Sequence, residues 1–155
     1  MIGSKSTPLN YIRRLLATGF CFSVFGIGGL VLGLIVLPLV RLWPGDNHQR
    51  NSRARRVVHY AFRYFVGLMD VLGCNHVELT GGEQLRNSRG QLVIANHPSL
   101  IDVVILIGCI PSCNCIVKQA LWRHPFMGGV LRLSGYMSNS DPEALLAQCR
   151  QSFDA

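Results

Sequence analysis

Hydrophobic and polar positions divide the chain into three stretches with different periods. The first has no period. Between Arg14 and Arg41 no residue is charged, and Leu15 through Val40 is almost continuously apolar. A run of that length is a membrane-spanning pattern. As one helix it is about 39 Å long, against a hydrocarbon core of about 30 Å. A tilt absorbs the excess. Alternatively, Gly26-Ile27-Gly28-Gly29 near the middle turns the run into a re-entrant hairpin of two short helices, whose mid-membrane backbone needs protein partners. Gly29 and Gly33 also match a helix-packing spacing. The run is too long and starts too late for a signal peptide, and no small-residue cleavage site follows it.

The second stretch has a helical period. From Val57 to Leu72, apolar residues recur at Val58, Phe62, Phe65, Met69 and Leu72. Arg53, Arg55, Arg56 and Arg63 crowd its first half, and Gly73 is placed to end it. A basic start with an aromatic and aliphatic stripe fits a helix lying at the lipid interface. It equally fits a stripe packed on the rest of the fold, with solvated arginines.

The third stretch alternates short apolar runs with helical ones, which predicts an α/β arrangement. Strands are expected at Val77-Glu78-Leu79, Leu92 to Ala95, Cys115-Ile116-Val117 and Tyr136-Met137-Ser138. Helices are expected from Asp102 to Gly108 and from Glu143 to Phe153. Asp141-Pro142-Glu143 reads as an N-cap, a proline at the first helical position and an acidic second position. The division expected is a membrane segment over 1–43, a basic amphipathic helix over 44–75 and an α/β domain over 76–155.

Composition narrows the setting. The chain has 155 residues, 49% of them hydrophobic, with a formal net charge of +7. An apolar chain with a basic excess fits contact with anionic lipid. Zinc-finger spacing and RNP-like motifs are lacking, and the arginines flank an apolar run, so nucleic acid is not an expected partner. Lys5, Arg13 and Arg14 precede the run; Arg41, Arg50, Arg53, Arg55 and Arg56 follow it. The positive-inside bias places the C-terminal domain in the cytoplasm, for a single span or for a hairpin. There the six cysteines are expected as reduced thiols. Cys113-x-Cys115 lacks a partner pair at zinc-site spacing, so no metal site is expected.

The candidate chemistry sits in Asn96-His97-Pro98-Ser99-Leu100-Ile101-Asp102. Pro98 biases His97 toward an extended backbone. Ser99 is a good N-cap, which puts Asp102 in the first turn of the following helix. With the histidine outside the helix, Asp102 can fold back toward it. A carboxylate on one ring nitrogen fixes the tautomer and stabilises the imidazolium formed when the other nitrogen takes a proton. Ser99-x-x-Asp102 also resembles a capping box, which needs no catalysis.

This segment resembles the first motif of the glycerolipid acyltransferase family, typified by 1-acylglycerol-3-phosphate acyltransferases: Asn96, His97, Ser99 and Asp102 match N-H-x-S-x-x-D in register. Lys118-Gln119-Ala120-Leu121, Pro125-x-x-Gly128 and Gly135-Tyr136-Met137 resemble the family's next segment. The resemblance runs from about Val77 onward. It implies acyl transfer from a thioester of coenzyme A or acyl carrier protein to a hydroxyl of a lysophospholipid, within phospholipid biosynthesis. His97 would be general base, Asp102 its partner, and Asn96, Ser99 and Lys118 substrate contacts, with Arg123 and Arg132 behind them. No further cofactor is implied. Ser138-Asn139-Ser140-Asp141 stands where relatives usually carry an arginine, and no F-P-E-G-T-R-like third motif follows. An incomplete domain is therefore expected. The alternatives are a non-catalytic membrane-anchored piece that binds lipid or a partner, and an acyl thioesterase.

Overall fold

A computed structural model describes residues 8–87, 90–96, 99–125 and 127–153. The apolar run forms one helical rod, α1 (Pro8–Val31), a π-helical turn (Leu32–Val36) and α2 (Leu37–Leu42). The glycines near its middle do not turn it, so the single helix holds and the hairpin does not. The π turn has a local cause. Pro38 lacks an N–H and its ring crowds the carbonyl one turn back. Widening the preceding turn accommodates this, with the Leu37 N–H bonded to the Leu32 carbonyl. Residues Asn10–Leu42 form a helix long and apolar enough to cross a membrane.

After a break at Trp43-Pro44-Gly45, Asp46 caps α3 (Asn47–Val71) by accepting from the Gln49 N–H at 2.7 Å. The helix therefore starts ten residues before the predicted stripe. It ends as predicted, with Gly73 left-handed at φ +67°. Ala54, Val58, Phe65 and Met69 of α3 are buried. The stripe thus packs on the fold, chiefly against α5 (Leu100–Cys109). Gly108 permits the close approach: a Cβ there would sit 3.3 Å from the Arg63 nitrogen. Buried His59 ties the same two helices, its Nδ1 lying 2.8 Å from the Ile107 carbonyl. A carbonyl only accepts, so that nitrogen carries the proton.

The remainder comprises α4 (Gly82–Arg86), β1 (Ile116–Val117), α6 (Gln119–Trp122), α7 (Gly128–Leu133), β2 (Met137–Ser138) and α8 (Pro142–Phe153). β1 and β2 pair in parallel, Ile116 with Met137 and Val117 with Ser138, and α6 and α7 form the crossover. Asp141 caps α8, its Oδ1 accepting from the Glu143 and Ala144 N–H groups. One core gathers Leu32 and Leu37 from the rod, Ala54 and Val58 from α3, Ile107 from α5, and Val130, Leu131 and Tyr136. A second joins Cys21 of α1 to Phe65, Met69 and Val104, where Phe25 packs on Phe62 and Phe65. Part of the apolar rod is therefore also core.

Two expected strands are corrected. Val77–Leu79 and Leu92–Ala95 have no regular structure. A strand is completed by a ladder partner, and β1 and β2 pair only with each other among the described residues. Leu92 and Ile94, expected in a buried strand, are instead exposed. Helices dominate, and the α/β expectation is met only by the small parallel pair and its crossover.

Two further arginines act within the fold. Arg41 Nη1 donates to the Leu133 carbonyl at 2.9 Å. Arg55 donates to the Ser134 and Gly135 carbonyls at 3.1 and 3.2 Å. These carbonyls are the unsatisfied acceptors at the end of α7, where cations are favoured. Part of the basic cluster is thus consumed by capping.

Candidate active site

The chain enters α5 through the exposed irregular segment 92–96, with Asn96 exposed at its end. Ser99 is extended (φ −130°, ψ 160°) and occupies the N-cap. The helix begins at Leu100, so Asp102 is its third residue, in the first turn as predicted. Asp102 Oδ2 accepts from the Ser99 N–H at 3.0 Å and from the Ser99 hydroxyl at 2.8 Å. The carboxylate sits at a helix N-terminus, where the macrodipole favours negative charge. Its second oxygen is not engaged by Ser99. Asp102 is therefore held at the mouth of α5, with its orientation set by its neighbour. His97 and Pro98 lie outside the described residues.

The elements beneath α5 hold this mouth in place. Val104 and Ile107 are buried against α3, and the His59 bond fastens the last turn. The first turn is left partly exposed while the rest of the helix is locked.

Lys118 stands at the N-cap of α6, directly after β1, and is exposed. Its carbonyl accepts from the Leu121 and Trp122 N–H groups, so its backbone starts the helix. No hydrogen bond or ion pair among the described residues joins Lys118 to Asn96, Ser99 or Asp102. The structure brings Ser99 and Asp102 together and leaves Lys118 separate from them. Arg132 is exposed on α7.

Arg123 lines a polar cleft of about 390 Å³ with Gln119, Ser138, Ser140, Asp141 and Gln148. Asn139, in the segment that replaces the expected arginine, accepts the Gln119 N–H through its Oδ1 at 3.1 Å. The sequence had marked a strand ending at Ser138, a helix cap at Asp141 and the lack of the relatives' arginine, but not the cleft. The residues carry polar groups from α6, β2 and α8 into one concave surface.

Behind the strand pair lies a cluster that spacing alone did not reveal. Cys113 and Cys115 have their sulfurs 4.0 Å apart. Arg55 is near enough to both to favour their anionic forms, while burial pulls its own pKa down. Tyr136 is buried, its hydroxyl has no hydrogen-bond partner among the described residues, and burial pushes its phenol above the ordinary range. Among the described residues, no three His, Cys, Asp or Glu side chains are grouped to hold a metal ion.

Residues 76–145 match the family model described as Acyltransferase. No curated protein and no solved structure matches the chain.

Proposed function

From the match of residues 76–145 to the Acyltransferase family model we propose that this chain belongs to the glycerolipid acyltransferases and is a membrane-bound O-acyltransferase. It moves a fatty acyl group from a thioester of coenzyme A or acyl carrier protein to a hydroxyl of a lysophospholipid, such as 1-acylglycerol 3-phosphate. The observation that carries this reading is the family match over residues 76–145, joined to an Asp102 carboxylate held by Ser99 in the first turn of α5.

In the proposed reaction His97 takes the proton of the acceptor hydroxyl. Asp102 steadies the imidazolium. The hydroxyl oxygen attacks the thioester carbonyl and forms the C–O bond of a tetrahedral intermediate; its collapse restores the carbonyl and breaks the C–S bond, and the sulfur leaves as a thiol with the proton from His97. General-base assistance of this kind contributes about 10²–10⁴-fold. N–H groups at the start of α5 are suited to the negative oxygen of the tetrahedral intermediate. Ser99 serves as the cap rather than as a nucleophile. Its hydroxyl and its N–H are both directed to Asp102, which supports transfer without an acyl-enzyme.

The apolar rod supports a membrane setting. Tyr11, Leu15, Leu16, Phe20 and Phe22 expose large apolar surface along α1, more than a soluble protein normally presents. The proposed orientation places residues 44–155 on the cytoplasmic side, where acyl thioesters occur, with α3 resting at the lipid surface. Its outward face carries Tyr60, Tyr64 and Val71, with Arg63 beside them. Tyrosines and cations suit the headgroup level.

Acceptor dependence tests the proposal. Thiol release from acyl-coenzyme A, followed with and without lysophospholipid, is expected to rise with acceptor and to yield the diacyl product in equal amount. Release independent of acceptor would instead identify a thioesterase. Binding to anionic vesicles with no release would identify a non-catalytic membrane protein.

A further inference from the structure

Cys113 and Cys115 flank Asn114 in the turn between α5 and β1. Their sulfurs lie 4.0 Å apart, and both residues are half-buried. We propose that these two thiols form a redox-reactive pair that closes into an intramolecular disulfide under a hydroperoxide. It is a modification site separate from the acyl-transfer residues.

The geometry favours closure. A disulfide bond is about 2.05 Å long, so the sulfurs must approach by roughly 2 Å, within the reach of side-chain rotation. The turn already holds them on one side. Ser112 adopts a left-handed φ of +60°, and Asn114 Oδ1 accepts the Cys115 N–H at 3.1 Å. The pair is also electrostatically split. The hydrogen bond from Cys115 and the Arg55 guanidinium hold the Cys113 thiol below its ordinary range, against an opposing effect of burial. The hydrogen bond to Cys113, burial and the negative charge on that neighbour push Cys115 up. The thiolate is the reactive form, so Cys113 attacks first and Cys115 keeps its proton until the second step.

The chemistry balances. The Cys113 thiolate attacks the hydroperoxide O–O bond; an S–O bond forms, the O–O bond breaks, and the leaving oxygen takes a proton from water as an alcohol, or as water when the oxidant is hydrogen peroxide. The Cys115 sulfur then attacks the sulfenic sulfur. The S–S bond forms, the S–O bond breaks, and hydroxide leaves with the Cys115 proton as water. Two thiols are oxidised and one O–O bond is reduced.

The other close pair is less suited. Cys21 and Cys74 sulfurs are 3.7 Å apart, but Cys21 is buried within the membrane-length apolar helix. Closure at Cys113–Cys115 also reaches the fold. The Cys115 carbonyl accepts the Met137 N–H at 2.9 Å, the first rung between β1 and β2. Strand β1 leads straight to Lys118.

The test treats the full chain in detergent with hydrogen peroxide, alkylates remaining thiols, and maps the tryptic peptide spanning 90–118 by mass spectrometry. That peptide contains Cys109, Cys113 and Cys115. The expected product is lighter by two hydrogens and carries one alkyl group, on Cys109. Dithiothreitol treatment before alkylation restores three alkyl groups. Cys109→Ser retains the bridge, and Cys113→Ser and Cys115→Ser each abolish it. Three alkylated thiols after peroxide, a bridge through Cys109, or oxygen added to one sulfur without a bridge would each overturn the proposal. The readout is mass, so its outcome is independent of acyl transfer.

Discussion

Replacing Leu37 by alanine tests whether the apolar rod is part of the core. Leu37 is 0% exposed and packs with Leu32, Ala54, Val58 and Val130. Leucine-to-alanine changes at buried sites cost about 2.7–5.0 kcal/mol, rising with the cavity that remains. This site has little room to collapse. A Cβ on neighbouring Gly33 would already lie 3.3 Å from Val130 Cγ2, so helix and domain are near their closest approach. The expected cost is therefore about 3–4 kcal/mol, which for a chain of this size lowers Tm by roughly 10 °C. Leu34→Ala is the control. It makes the same chemical change one turn away on the same rod, at a residue that is 73% exposed. In detergent it should alter stability by less than about 0.5 kcal/mol. The assay is thermal unfolding of both variants in one detergent, followed by circular dichroism. Equal Tm values for the two variants would refute the reasoning.

Two further outcomes follow from the site and its support. Asp102→Ala removes the oxygen that accepts both Ser99 donors and should cost about 1 kcal/mol of stability, whereas Asp102→Asn keeps an acceptor and should cost less. Both should lower kcat by about 10²–10⁴-fold if the charge steadies a histidine; an Asn variant with full turnover would leave Asp102 as a cap alone. Arg55→Ala releases the Ser134 and Gly135 carbonyls and should cost about 2–3 kcal/mol in denaturant unfolding. Arg55→Lys should not recover it, because an ammonium cannot span two acceptors as a guanidinium fork does; full recovery would contradict the clamp.

Features set by local chemistry were legible in the chain. Ser99 and Asp141 start helices and Gly73 ends one, because caps and left-handed turns depend on a few adjacent residues. The short strands β1 and β2 were read within a residue or so. Features set by distant partners were not. Leu92–Ala95 has a strand's composition, but a strand needs a ladder, and sequence does not say where one is. The apolar run reads as uniform, yet Leu32 and Leu37 enter a core while Leu34 and Leu39 stay exposed. That division is made by α3 and α7, far along the chain. Arg41 and Arg55 read as part of a charge cluster until the end of α7 is placed beside them. Of the site, Ser99 and Asp102 were legible because one motif holds both. Lys118 was legible only as a residue type, and its position after β1 does not join it to them.

The central claim is tested most directly by His97→Ala in the full-length protein in detergent. Thiol release from acyl-coenzyme A and formation of acylated lysophospholipid are measured beside the unaltered protein, with circular dichroism confirming equal folding. The account predicts that both signals fall together by at least about 10²-fold while Tm is unchanged. A folded His97→Ala variant with undiminished turnover would contradict it.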